Sequence, residues 1–449
     1  MKRRIDTELR NWKSSPVRRP LLVRGARQVG KTFSVLWFGQ QEFGNCIAIN
    51  FEERPEFQNC FTSLDVGEIL EKISILTGEA IHPGKTLLFL DEIQECPKAI
   101  TSLRYFFEKK PDLHVIGAGS LLEFVFREEG FRMPVGRISS LYMAPLSFDE
   151  FLVGIGQEKL LKYLISKEKV DPIEPLFADE LEKLLRKYLV VGGMPAVVAH
   201  YAKGGKPEEI KVLQTSILQT YQADFSKYAS TAKHKYLQDV FVATPRLACS
   251  RCKYSHINAA VQSREIKLAV ELLADARCLH MVKHSSGMGL PLAAQVNPKI
   301  FKLLFMDVGL MQRALEIDTR LILEKDLMSI NRGSVAEQFV GQQLLAVRDL
   351  YEEPSIFFWA RENRSSQAEV DYLVTLDGLV FPVEVKAGKT GTLKSLRLFL
   401  DEHPESPFGI RFSLHELSWH DRVLSIPLTM IGQWQRLVRL VLAGGDFMG

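Results

Sequence analysis

The chain has 449 residues, more than one ordinary core holds, so about two to four domains are expected. Its 46% hydrophobic and 25% charged residues exclude a disordered or fibrous chain and fit a globular one. No apolar run reaches the roughly 18 residues of a bilayer span, so no membrane partner is expected. The basic opening MKRRIDTELRNWKSSP lacks the apolar centre of a signal peptide, and six scattered cysteines look reduced, so a cytoplasmic location is expected. The net charge of +3 is unevenly spread. Lys227 to Lys302 carries twelve Lys and Arg against four Asp and Glu, a local +8 that leaves −5 for the rest. Such a module suggests a polyanionic partner such as DNA. A plain solvated basic face is the alternative.

In chain order, residues 1–15 read as a helix. The runs at 20–25, 45–53, 86–92 and 113–120 read as buried strands. Helical stretches such as 100–109 separate them, so 1–146 is expected to be a parallel α/β sheet. Helical periodicity dominates 147–228, broken by GKPEE and by GGMP (192–195). Residues 229–318 hold short helices, including 262–276, followed by the Gly-containing stretch 284–291. Helix, turn, helix and hairpin is the order of a winged helix. From Gly333 an amphipathic helix leads into strands, so 330–449 reads as a second, separate α/β unit.

The stretch Gly25-Ala26-Arg27-Gln28-Val29-Gly30-Lys31-Thr32 matches the G-x-x-x-x-G-K-[ST] phosphate loop between a strand and a helix. Its backbone N–H groups, those of Gln28 and Val29 among them, would curl around phosphates at a helix N-terminus. Lys31 would reach the β- and γ-phosphates of ATP, and Thr32 would ligate Mg²⁺. Asp91 and Glu92 end the strand LLFLDE. Asp91 would hold Mg²⁺ through water, and Glu92 would orient the attacking water. Asp91 is expected next but one to the loop's strand. Ser120 is a candidate γ-phosphate sensor, or only a turn residue. Arg137 is a candidate for stabilising transition-state charge, within the subunit or across an interface of a homo-oligomer, or is merely ion-paired.

The runs RRPLLVRGARQVGKT, LFLDEIQECP, GSLLEF, GRISSLYMAPLSFDEF, YLVVGGMP and DFSKY together resemble a large family of prokaryotic AAA-like ATPases with a C-terminal domain of unknown function. The resemblance covers nearly the whole chain. It implies an ATP-binding P-loop domain, a helical segment with a winged helix, and a nuclease-like C-terminal domain.

The segment Ala368–Lys389 reads as a hairpin about a two-residue Asp377-Gly378 turn. Facing residues then sum to 755, which sets Asp371 opposite Glu384 and Glu369 opposite Lys386, all on one face. At about 5 Å and an effective dielectric of about 20, the two carboxylates repel by about 3 kcal/mol. One is protonated, both are splayed into solvent, or a cation such as Mg²⁺ sits between them. Lys386 would then sit beside the metal in a catalytic role, and Glu337 could add a further carboxylate. The E…D…E-x-K order resembles the PD-(D/E)XK nuclease superfamily, without the Pro-Asp pair. The resemblance implies a restriction-endonuclease-like fold, active or degenerate.

Cys249-x-x-Cys252 with His256, Cys278 and His280 lacks the spacing of a zinc finger, so buried or surface thiols are expected. Helix 262–276 is the candidate recognition helix, with Arg264 and Lys267 facing phosphates, or only a core helix. The sequence thus favours an ATP-dependent DNA-processing enzyme. A nucleotide-dependent switch with an inactive, binding-only C-terminal domain is the alternative, and a P-loop kinase of small molecules ranks last.

Overall fold

The first helix, α1 (Arg4–Ser14), buries Ile5, Leu9 and Trp12 at helical spacing and so packs one face on the sheet behind it. The computed structural model describes residues 1–127, 131, 136–225, 231–317, 332–361, 368–388 and 391–444. Strands β1 (Leu21–Gly25), β2 (Asn45–Asn50), β3 (Thr86–Asp91), β4 (His114–Gly119) and β5 (Ser139–Met143) form an all-parallel sheet of order β2-β3-β4-β1-β5. Strands β1, β3 and β4 are buried at every position. That is what continuous apolar runs produce when both faces are covered. The covering helices include α2 (Lys31–Glu42), α3 (Val66–Thr77), α4 (Pro97–Lys109) and α5 (Leu122–Phe126). Strand β3 lies next but one to β1, with β4 between. The C-terminal ends of β1, β3 and β4 therefore share one edge, where Gly25, Asp91 and Ser120 emerge.

Five helices follow: α6 (Phe148–Gly154), α7 (Glu158–Ser166), α8 (Pro175–Val191), α9 (Pro195–Ala202) and α10 (Pro207–Ala223). Ser147 and Glu150 close a reciprocal capping box at the start of α6. Gly192 ends α8 at φ +74, and a Cβ there would meet Asp307 Oδ1 at 2.1 Å, so only glycine fits this corner.

The next segment runs α11 (Thr231–Leu247), β6 (Arg251–Cys252), α12 (Tyr254–Ile257), α13 (Ser263–Asp275), β7 (Leu279–Ser285) and β8 (Val296–Phe305). Strand β8 pairs antiparallel with both β7 and β6. Helix α14 (Val308–Ala314) closes it, with Asp307 as N-cap. The C-terminal unit holds α15 (Arg332–Ala346), β9 (Ile356–Ala360), β10 (Glu369–Leu376), β11 (Leu379–Val385), α16 (Lys394–Glu402), β12 (Gly409–Ser413), β13 (Ser418–His420), β14 (Val423–Pro427) and α17 (Trp434–Gly444).

The expectation that this last unit stands separate is overturned. Strand β7 pairs parallel with β9, Val282 opposite Ile356, and one sheet of order β13-β14-β12-β11-β10-β9-β7-β8-β6 runs through both segments. Strand β9, IFFWA, is buried throughout and would be an exposed apolar edge without β7. Glutamines on one face of α15 complete the join. Gln338 accepts from the Phe305 N–H at 2.9 Å and donates to its carbonyl at 2.8 Å. Gln342 accepts from Val308 and donates to Asp307, and Gln343 accepts from Phe148 N–H of α6. The amphipathic reading of this helix is accordingly wrong in detail, since these polar positions are buried against the backbone of other elements.

Candidate nucleotide site and carboxylate cluster

The loop between β1 and α2 is a cradle whose turns run through left-handed backbone. Gly25, Gln28 and Gly30 have φ of +144°, +62° and +94°. A Cβ on Gly25 would lie 2.2 Å from Met143 O, so the strand edge and the loop are in backbone contact. Helix α2 begins at Gly30 with no side chain capping its first N–H groups, which leaves them for an anion. Lys31 is buried and folds back into the cradle, donating to Gly25 O at 3.1 Å and Ala26 O at 2.8 Å. Burial pulls its ammonium down to about 8, only partly opposed by Glu92 and Asp91. Thr32 Oγ1 donates to Asp91 Oδ2 at 2.9 Å, and burial pushes the Asp91 carboxyl up to about 6. A hydroxyl and a carboxylate in contact beside a buried, only partly compensated lysine suit a metal ion bound with a polyphosphate.

Glu92 sits in the left-handed region, φ +46°, and Gln94 Nε2 holds its Oε2 at 2.7 Å. Ser120 is buried at the end of β4, on the same edge as Gly25 and Asp91. Arg137 is not brought to this site within the chain. It precedes β5, whose Ser139 lies level with Leu21 at the far end of β1, and it pairs with Glu108 at 3.1 Å on the surface. The parallel register separates it from Gly25 by the length of the strand, so the expected contact with a γ-phosphate is absent in one subunit.

Two residues at the loop escaped the sequence reading. Arg3, in the basic opening read only as a helix, is buried; it donates to Val29 O at 3.1 Å and Ala144 O at 2.9 Å and pairs with Glu150 at 2.9 Å. Arg27, a variable position of the motif, pairs with Asp224 of DFSKY at 2.5 Å, and Tyr221 donates to its carbonyl. Ser226–Tyr228 of that motif lie outside the described residues. The GGMP break also has a place. Pro195 begins α9 within 3.5 Å of where a Gly30 Cβ would stand, and Gly193 N–H donates to Asp307 at 2.6 Å.

In the C-terminal hairpin Tyr372 faces Val383 and Leu376 faces Leu379, so facing residues sum to 755 and the turn is Asp377-Gly378, both at positive φ. Asp371 and Glu384 are brought together, with Glu337 of α15 beside them. The pairing of Glu369 with Lys386 does not occur. Lys386 turns to Glu384 at 2.5 Å. Glu369 takes Arg251 of β6 and Lys302 of β8, each at 2.5 Å. Lys302, 0% exposed, also reaches Glu337 at 2.7 Å and Asp371 at 3.9 Å. Among the described residues no group of three or more His, Cys, Asp or Glu is placed to hold a metal ion. In the expected metal set Glu337, Asp371 and Glu384, the Lys302 ammonium lies against two of the three carboxylates, Glu337 and Asp371. Four carboxyl groups face three cations here, and burial pushes Glu337 up to about 8 and Glu384 up to about 7. The cluster retains a proton near neutral pH.

Cys249, Cys252 and Cys278 are buried. Arg264 and Lys267 are exposed on α13, and Lys267 pairs with Glu271 one turn on at 3.8 Å. The C-terminal end of that helix is tied to the first sheet's α5 region. Asp275 meets Arg127 at 2.7 Å, and the adjacent Arg277 meets Glu123 at 3.1 Å. Among the described residues no helix is long and apolar enough to cross a membrane.

A phosphate loop on a five-stranded parallel sheet defines a P-loop nucleotide-binding domain. Residues 17–152 match the family model of an AAA domain. Residues 182–321 match a domain of unknown function (DUF8612), and residues 332–431 match another (DUF4143). The first of these runs across the boundary that the sequence reading placed at 228. Similar solved structures include the Aeropyrum pernix Orc1 protein in complex with DNA (14% identity, 72% of this chain, 95% of that one, TM-score 0.30). The Thermotoga maritima RuvB Holliday junction branch migration motor is another (16%, 61%, 85%, 0.28), as is the S. cerevisiae Hsp104–ADP complex (14%, 62%, 39%, 0.26). Likenesses at these TM-scores decide nothing about this chain. No curated protein matches it.

Proposed function

We propose that the chain is a Mg²⁺-dependent ATPase whose nucleotide state controls DNA binding by the winged-helix-like segment and the C-terminal unit. The observation that carries the reading is the buried Lys31 lying beside the Thr32–Asp91 contact in a glycine cradle. On nucleotide binding, Lys31 exchanges the Gly25 and Ala26 carbonyls for phosphate oxygens. Thr32 and Asp91 would hold Mg²⁺, which when bound neutralises phosphate charge. Glu92 orients the attacking water, and Ser120 stands on the edge where the γ-phosphate would lie. Arg137, exposed and distant, could serve only across an interface between copies of the chain. Pro195 against Gly30 and Arg27 on Asp224 give the loop two contacts with the helices beyond it, and Gly193 on Asp307 ties the turn before α9 to the end of the β7–β8 hairpin. The order of α11 to β8 and the exposed Arg264 and Lys267 support DNA as the partner.

A second reading, in which the C-terminal unit binds but does not cut, is favoured by Lys302 among the carboxylates. ATP turnover by purified protein, abolished in Lys31→Ala, tests the first part; retained turnover in that variant contradicts it. Nicking of supercoiled plasmid in Mg²⁺ or Mn²⁺, lost in Glu384→Ala, would overturn the second reading. No nicking by the unaltered chain supports it.

A further inference from the structure

Lys302 is a lysine on a central strand, with Arg251 and Val282 as its neighbours across the ladder, and it has no exposed surface. A buried ammonium needs partners for its charge and its three N–H groups. Its partners come from a different part of the chain: Glu337 on α15, and Glu369 and Asp371 on β10. It lies 5.0 Å from the centre of the Phe358 ring, which closes another side. Glu384, opposite Asp371 and 7% exposed, keeps one oxygen, Oε2, with no hydrogen-bond partner, its other oxygen being held by Lys386. The carboxylates, drawn together by the hairpin register, would repel one another without a cation, and the cation present belongs to the protein.

We propose that Lys302 is a built-in cation: its ammonium, paired with Glu337, Glu369 and Asp371, stands in for a divalent ion that Glu337, Asp371 and Glu384 would otherwise hold, and keeps this cluster metal-free while the β7–β8 hairpin is docked on the C-terminal strands. An ammonium neutralises carboxylates as a metal would, but it offers no open coordination position to a water or a phosphodiester oxygen. The cluster therefore serves as a lock between two segments of the sheet. This inference stands apart from the nucleotide site, and ATP turnover of the same preparations reports on that site separately.

The test is titration of the full chain with Mn²⁺, free of nucleotide, followed by electron paramagnetic resonance and calorimetry. In the unaltered protein no Mn²⁺ site should depend on Glu384. Lys302→Met should gain one site at least ten-fold tighter than any Glu384-dependent binding in the parent. The gain should vanish in Lys302→Met/Glu384→Gln. A site in the unaltered protein that is lost in Glu384→Gln overturns the proposal, and so does a folded Lys302→Met that gains none. Should Lys302→Met fail to fold, Lys302→Met/Glu369→Gln removes one carboxylate with the ammonium and keeps the three candidate ligands. Gain of the site there supports the proposal, and its absence overturns it.

Discussion

Lys31 and Lys302 are both buried lysines surrounded by oxygen atoms, and they are in opposite electrostatic conditions. Lys31 donates to two neutral carbonyls of its own loop, and burial lowers its affinity for a proton. Lys302 is held by carboxylates from two other elements, which raise its affinity despite a comparable burial. The first is a charge only partly offset by the carboxylates near it, the condition of a site that gains by taking up an anion. The second is already compensated, the condition of a structural pair. Burial alone therefore does not mark a lysine as functional; what faces it does.

The largest effect that could break this contrast is on stability. Lys302→Met leaves the carboxylates uncompensated and should cost about 3–5 kcal/mol in denaturant unfolding. Lys31→Met in the nucleotide-free protein should be neutral or stabilising, because a lowered lysine pKa means the folded state disfavours the charged form below that value. Equal costs for the two variants would end the distinction. Next is proton linkage. At pH 8 Lys31 is about half protonated, and phosphates favour the charged form, so ATP binding should take up about half a proton. Near pH 6 Asp91 is partly protonated and a bound metal requires the carboxylate, so Mg–ATP binding should release protons instead. Calorimetry in buffers of different ionisation heat would show the change of sign. Uptake at both pH values contradicts the assignment of Asp91. The smallest effect sharpens the contrast from the C-terminal side. Gly378→Ala meets nothing within 4 Å but must hold φ near +83°, a cost of about 1 kcal/mol. It should lower the unfolding midpoint slightly and leave ATP turnover unchanged.

Much of the nucleotide site was readable because its parts are local. Eight consecutive residues form the cradle, and a strand end supplies Asp91. The hairpin register was readable for the same reason, since two turn residues fix it. Arg137 misled because a motif does not say which end of a strand it occupies. Lys302 was hidden because KIFKLLF looks like a strand with a solvent-facing lysine, and its partners lie 35 or more residues further on. It was counted in the basic module, as was Arg277, yet both are spent on internal carboxylates. The glutamines of α15 were likewise legible only as polar positions. A buried amide is decided by which backbone groups need a partner, and that follows from tertiary placement.

The uninterrupted nine-stranded sheet has a mechanical consequence. A hinge needs backbone with few bonds crossing it, and the ladder from β9 through β7 to β8 offers none. The β7–β8 hairpin and the C-terminal strands therefore share one stiff ladder and tilt together, fastened to the rest of the chain by contacts such as Gly193 on Asp307 and Arg277 on Glu123.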